Sequence, residues 1–538
     1  MRPHPLLLAL PLLASPLAAQ SFEELLRVGD VVPGVGLVEE ITYVAASDAS
    51  WMASVNGAGT PWAILLDGQE YQSQGEPIGA SGIAAPEFFS FSLGPAGHVI
   101  LLFPFSFEPG RLFLDKQLVL ATGDLSLAPE LPAGTVYSKF VAAKTDGLGR
   151  LFHRTSTSAP GVFLTFVRAE PGPGGPPASE AVLLQNNDVM PGQTKGLYMI
   201  AEGPENFAVN DAGDLIFLGS LIPGGLDDEV IYFNDVLLAQ KGAASPLGAP
   251  WLDLDLHPGV DLNASGDFAY RGDVDLGGGG VDLIVKNDAQ LLIREGAVLA
   301  DIAPHALGPL TGGPLFVTDA GRVFWYGVWG APDAPTSGFF LDDELILEAG
   351  VDTLNGVRIT ALEASRLRAT YAVSNGGKLV FYAELEDGTR GLFRVDLADF
   401  VPAQVAPMSD CGANPGTLVA AGGAPSPGAT LTLALDGAQA AGALAFLALA
   451  DDAAAGWPPC GPLVPGLGEL LLDLSAPGPW VSAGGAWGGA ALAVDVDFPA
   501  QEGLLGLTLF AQGLFLDAAP AAPEPLRLTG GLALTLGV

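Results

Sequence analysis

The chain has 538 residues, 49% hydrophobic and only 15% charged, so it is long enough for more than one core and too apolar to be disordered. Its 60 acidic residues face 22 Lys and Arg, a formal charge of −38, which argues against a nucleic-acid groove and against an anionic membrane surface as partner. The 72 glycines and 44 prolines are scattered as short punctuation without a triplet period, which excludes collagen and suits many short strands joined by turns.

Residues 1–20, MRPHPLLLALPLLASPLAAQ, read as a secretory signal peptide, with Arg2 before a short apolar stretch and Ala18-Ala19 near the cleavage point. Four prolines make a buried strand there a poor alternative. No cysteine follows the apolar stretch, so a lipid anchor is not indicated. No later apolar run has the length of a membrane span.

From there to about residue 400 one turn recurs. It reads FAVNDAGDLIFLGS around Gly213, VDLNASGDFAYRGD around Gly266, LFVTDAGRVFWYGV around Gly321 and YAVSNGGKLVFYAE around Gly377. Weaker copies surround Gly97 and Gly149, and the weakest surrounds Ala49. An apolar strand ends at Asn, Asp or Ser, whose short side chain caps a tight turn. Gly then takes a positive φ, and an apolar and aromatic strand follows. A second hairpin trails each copy, as in VIYFNDVLLAQKG, LIVKNDAQLLIREG and GFFLDDELILEAG. Its return ends at Gly75, Gly123, Gly242, Gly296 or Gly350, with Asn187-Asp188 in that place in the third copy.

Two hairpins in series, repeating at roughly 50 residues, make a four-stranded propeller blade. Seven first hairpins are visible, but the last repeat stops near Asp396 without its returning strand. Residues 22–36 have that strand and nothing before it: Leu25-Leu26-Arg27-Val28-Gly29-Asp30 resembles Leu292-Ile293-Arg294-Glu295-Gly296. The expectation is an all-β chain whose residues 21–400 form a seven-bladed β-propeller closed by the N-terminal strand. An open solenoid of hairpins and a six- or eight-bladed ring are the competing readings.

After Phe400 the repeat disappears, and residues 401–415 read as a linker. Alternating apolar stretches over 416–538, among them ATLTLALDG, AALAVDVDFP and LRLTGGLALTLGV, suit an antiparallel β-sandwich. The alanine-rich 438–445 could instead be helical. Trp457, Trp480 and Trp487 read as core or rim packing ahead of a carbohydrate platform. Cys411 and Cys460 are the only cysteines; in an oxidising compartment they read as one disulfide, stabilising by about 4 kcal/mol through closure of a long loop.

The C-terminal stretch GLGELLLDL…LLGLTLFAQGLFLD…PLRLTGGLALTLG, with Cys411-Gly412-Ala413-Asn414-Pro415 and Pro459-Cys460-Gly461, resembles the C-terminal domain of uncharacterised exported proteins of planctomycete-type bacteria. The NDAGD and REG repeats are similar to the propeller repeats that precede such domains. The resemblance implies secreted or surface localisation and a binding or scaffolding role, and it carries over no catalytic residue.

Chemistry is sparse. There is no GxSxG, HExxH or P-loop, and no GxGxxG in a βαβ setting. Five scattered histidines form no ligand spacing, so no zinc site is expected. Asp211 and Asp319 read as turn caps before acids. Asp342-Asp343-Glu344 and Asp227-Asp228-Glu229 read as solvated turn charges. Calcium is the least weak cofactor idea, from Asp253, Asp255 and Asp261 and from Asp273, Asp275 and Asp282, though alternation along a strand does not close a cage. Asn263-Ala264-Ser265 matches an N-glycosylation triplet but sits in a hairpin turn and means little in a bacterial protein, and Arg271-Gly272-Asp273 is an RGD triplet read as chance. The leading expectation is a non-enzymatic extracellular binding or scaffold protein whose partner is a protein or glycan. A glycan-acting hydrolase or lyase at the propeller mouth and a structural envelope component are the alternatives.

Overall fold

The computed structural model describes residues 22–397 apart from short loop segments, and much of 404–536. The signal-like residues 1–20, Cys411 and Cys460 lie outside the described residues. The chain is all-β and divides into two compact units, one covering Phe22–Leu397 and one covering Ala398–Val538. Among the described residues no helix is long and apolar enough to cross a membrane.

In the first unit the described strands form seven antiparallel meanders of four main strands. The fourth is representative. Its first strand, split into Leu197–Ile200 and Phe207–Val209, pairs with Leu215–Leu221, which pairs with Glu229–Phe233 and then Val236–Gln240. Leu215–Leu221 is buried at every position, so it lies between neighbours on both faces and lacks the alternation of a half-exposed strand. The turn glycines Gly97, Gly149, Gly213, Gly266, Gly321 and Gly377 all have φ between +73° and +90°. Each donates its N–H back to the residue that opens the turn, as Gly213 does to Asn210 at 3.0 Å.

The seventh meander is completed from the other end of the unit. Glu23–Arg27 pairs antiparallel with Arg390–Asp396, with Leu26 opposite Leu392 and Glu23 opposite Arg394. Leu26 is buried, and Gly29 behaves like the other return glycines. It has φ +103° and donates to Val38 at 2.8 Å, as Gly296 donates to Leu307 at 2.9 Å. In the third repeat Asn187 takes this role, with φ +73° and an N–H bond to Leu197 at 2.7 Å.

Apolar clusters sit between consecutive sheets. Met52, Ile64, Phe91 and Leu101 join the first to the second, and Ile216, Trp251 and Tyr270 join the fourth to the fifth. Phe339 packs on Tyr371 and Phe381 between the sixth and seventh. The last cluster returns to the start: Val44, Val55, Val380 and Leu392 join the seventh sheet to the first.

A side-chain clasp recurs at the third-to-fourth-strand turn. Asp67, Asp115, Asn234, Asn287 and Asp342 hold left-handed φ between +48° and +56°. Asn and Asp tolerate that conformation because their short polar side chains bond locally. Here the side-chain oxygen accepts the N–H of the residue opening the second strand, for example Leu215 to Asn234 at 2.9 Å and Val323 to Asp342 at 3.0 Å. The residue after each turn glycine is matched to the clasp. Asn234 and Asn287 donate to Asp214 and Asp267 at 2.9 and 3.1 Å, whereas Asp115 and Asp342 meet His98 and Arg322 at 2.7 and 3.0 Å.

In the second unit the strands Leu444–Ala450, Trp480–Ala486, Thr508–Leu516 and Leu526–Thr535 belong to one antiparallel sheet, and Thr417–Gly422, Thr430–Asp436 and Leu492–Asp497 to another. Leu431, Leu433 and Val494 share one core with Leu447, Ala511 and Leu534. Trp487 is buried there, its ring edge-on to Phe515 at 5.6 Å. One expectation needs correction. Gln404–Pro407, inside the stretch read as linker, is a strand paired with Leu526–Thr535, and Val405 packs against the shared core. The end of the alanine-rich segment is a strand, Leu444–Ala450, as the leading reading has it, and its cross-strand partners on both sides outweigh the helix propensity of alanine.

Candidate functional site

Polar residues of the first unit meet across sheets at the first-to-second-strand turns. In six of the seven turns the side chain of the opening residue does the capping, the second turn opening at Gly94: Asn210 accepts the N–H of Asp214 at 2.9 Å, and Asn263 that of Asp267 at 2.8 Å. The second residue reaches sideways. Asp211 accepts the N–H of Gly147 at 2.5 Å, Asp319 that of Ala264 at 3.2 Å, and Asp48 that of Gly376 at 2.8 Å. Asp211 and Asp319, expected to cap their own turns, therefore bridge to the turn of a neighbouring sheet.

Other bonds continue the belt. Asn210 donates to the Asn263 carbonyl at 3.2 Å, Asn263 to the Thr318 carbonyl at 2.8 Å, and the Asp319 N–H to the Asn375 carbonyl at 2.6 Å. Arg150 pairs with Asp146 and donates to the Asp211 carbonyl at 2.8 Å. Between the second and third sheets the Thr145 side chain fills the space over Gly94, where a Cβ would stand 1.9 Å from Thr145 Oγ1.

One position carries polar groups into the first strands themselves. It lies two residues before the turn and is occupied by Ser92, Lys144 and Asp261 in three repeats. Ser92 donates to the Ala143 carbonyl at 3.2 Å, Lys144 to the Phe207 carbonyl at 2.8 Å, and Asp261 accepts the Val317 N–H at 2.7 Å. Each thus bonds to the first strand of the next sheet. Burial pushes the Asp261 carboxyl up to about 6, while Lys144 and the N–H donors of Val317 and Leu262 pull the other way. A carboxyl raised in this way favours folding when protonated, so its contribution is full below 3.8 and is lost as pH rises through 6. Asp261→Asn keeps an oxygen for Val317. It is expected to stabilise the protein by about 1–2 kcal/mol at pH 7, the smaller part of what the shift implies because the side chain retains some water contact. Urea midpoints at pH 7 and pH 4 check this, with the difference vanishing at pH 4.

Two of the acids considered for calcium accept backbone N–H bonds. Asp282 accepts the Leu310 N–H at 2.6 Å and Asp275 that of Gly277 at 2.8 Å, and Asp255 lies outside the described residues. Among the described residues no three His, Cys, Asp or Glu side chains converge as a metal site. Asn263 is fully buried, so it is no glycan acceptor, and the triplet from Arg271 to Asp273 is buried within the strand Phe268–Asp275. Sequence reasoning missed three buried polar groups. Tyr137 donates to Glu180 at 2.8 Å, and burial beside that carboxylate pushes its phenol up. Arg271 donates to the Gly313 carbonyl at 2.9 Å. His153 is fully buried, with Tyr137 and Phe140 ring centroids at 5.5 and 5.7 Å.

No family model matches the sequence, and no curated protein matches it. Three solved structures that the chain is similar to are BBS1N in complex with ARL6DN, polysaccharide lyase Uly1 and a Trypanosoma rangeli sialidase. The first is 10% identical, with 70% of this chain and 97% of that chain covered and a TM-score of 0.31. The second is 11% identical, with 65% and 85% covered and a TM-score of 0.33. The third is 11% identical, with 97% and 94% covered and a TM-score of 0.27. Likenesses this remote assign neither substrate nor partner.

Proposed function

We propose that the first unit is a seven-bladed β-propeller, that the second is an antiparallel β-sandwich, and that the protein is a non-enzymatic scaffold that binds an extracellular protein or glycan. The observation that carries this reading is that Glu23–Arg27 completes the last of seven four-stranded meanders on Arg390–Asp396, and that one apolar cluster joins this sheet to the first. A circuit with no free sheet interface holds its loops rigidly, and rigid loops suit recognition. The polar groups at the turns support it too: Asp48, Asp211 and Asp319 hold backbone N–H groups of adjacent sheets, a structural duty. For the second unit, the support is one core shared by two sheets. The signal-like N-terminus supports export, and export supports a Cys411–Cys460 disulfide.

The test is a screen of the purified mature chain against glycans and cell-envelope fractions, with and without calcium. Saturable binding of one class without chemical change is the expected result. Release of reducing ends or of unsaturated sugar would replace the scaffold with a hydrolase or lyase. Self-assembly into extended layers would replace it with a structural envelope component. Binding abolished by chelation would put calcium at the binding face.

A further inference from the structure

The two ends of the seven sheets differ in chemistry. In each meander the turns between first and second strands and between third and fourth strands share one end. Cross-sheet bonds link six of the seven such turns in series, from the third sheet round to the first, and Ser92 ties the first strand of the second sheet to that of the third. The opposite end carries the connections from each fourth strand to the next sheet. Eleven large aliphatic side chains are strongly exposed in Phe22–Leu397 among the described residues, and only Leu148 and Val236 lie at the turn-belt end.

Four of the other nine occupy one repeat position, two residues beyond the left-handed glycine or asparagine. These are Val31, Leu125, Val189 and Val298, exposed by 75%, 60%, 62% and 56%. The pattern follows from the short hairpins that these connections make. Val31 points out where Val32 points in, and Val189 points out where Met190 points in. A single exposed valine is unremarkable, but recurrence at one position on one end is not.

The charge at this end is acidic. Asp30, Asp124 and Asp188 each stand immediately before one of the exposed aliphatics. Three cations at this end are already paired: Lys195 with Asp228, Lys241 with Glu229, and Arg358 with Glu386.

We propose that this end is the docking face of the scaffold and that its partner is a protein segment presenting aliphatic side chains among lysines or arginines. The inference rests on the binding-scaffold reading and names where and with what chemistry it binds. Charge decides the occupant. A second copy of a chain at −38 would bring like charge to an acidic face, whereas a cationic amphipathic segment is attracted to the acids and covers the aliphatics.

The probe is a short amphipathic peptide of Lys and Leu, compared with a Lys/Ser peptide of equal charge, by fluorescence anisotropy at physiological ionic strength. That salt screens binding due to net charge alone. The expected result is saturable binding, at least about tenfold tighter for the Lys/Leu peptide. The combined Val31→Ser, Leu125→Ser, Val189→Ser and Val298→Ser variant should fall to the Lys/Ser level with its thermal transition unchanged. A Leu148→Ser, Val236→Ser control at the other end should bind as the wild type does. Equal binding of the two peptides, or equal loss in the control, overturns the docking face. Concentration-dependent dimerisation abolished by the four-site variant would overturn the cationic partner in favour of a second copy. None of these outcomes touches the scaffold reading, which fails only if the envelope and glycan screen yields turnover or layers.

Discussion

A chain that starts at Gly29, without Glu23–Arg27, is expected to lose on the order of 5 kcal/mol of stability in its first unit. Three aliphatic side chains leave the seam between the seventh and first sheets: Leu26, which is buried, and Leu25 and Val28, which pack against the same cluster. Each buried aliphatic contributes roughly 1.5–3 kcal/mol. The Arg390–Asp396 edge would also expose its unpaired backbone groups, a template for aggregation. Typical domain stabilities of roughly 5–15 kcal/mol leave little margin for such a loss. Urea unfolding should show a much lower midpoint, and limited proteolysis should attack Arg390–Asp396 first. A synthetic peptide covering residues 22–30 should restore both, because strand addition supplies the missing partner in trans. A truncated chain as stable as the intact one would remove the seam from any part in the fold.

The second large effect concerns pH. His153 is fully buried, neither ring nitrogen has a hydrogen-bond partner among the described residues, and burial lowers its pKa to about 3. The unfolded chain takes up a proton near 6.5 while the folded one does not, so stability falls as pH drops from 6.5 towards 3. The slope is about 1.4 kcal/mol per pH unit. His153→Leu, of similar volume, is therefore expected to match the wild type at pH 8 and to exceed it by roughly 2 kcal/mol at pH 5. Paired thermal melts across that range would settle it. A constant difference at every pH would mean that His153 acts through packing alone.

The repeat was legible because its chemistry is local. A positive φ at Gly213 or Gly266 demands glycine, and an adjoining Asn or Asp satisfies the turn, so each copy bears the same mark. The closing strand was legible for the same reason, since Gly29 repeats the duty of Gly296. What escaped were contacts between sheets. Asp211 and Asp319 carry no sign in sequence of whether they cap their own turn or the neighbour's, because that depends on how far the next sheet stands. Ser92, Lys144 and Asp261 share a position and a duty but no chemistry, so comparing repeats by residue type passes over them. His153 and Arg154 escaped because Leu151–Thr157 is buried on both faces, where alternation no longer separates inside from outside.

The clasp at the outer turns has a consequence for redesign. Four of its five copies use one of two mutually exclusive dialects: an acid after the glycine opposite an amide, as in Asp214 with Asn234, or a base opposite an acid, as in Arg322 with Asp342. A sequence averaged over the seven repeats would mix them and set two carboxylates face to face. Grafting a turn from one repeat to another should succeed only when both halves travel together.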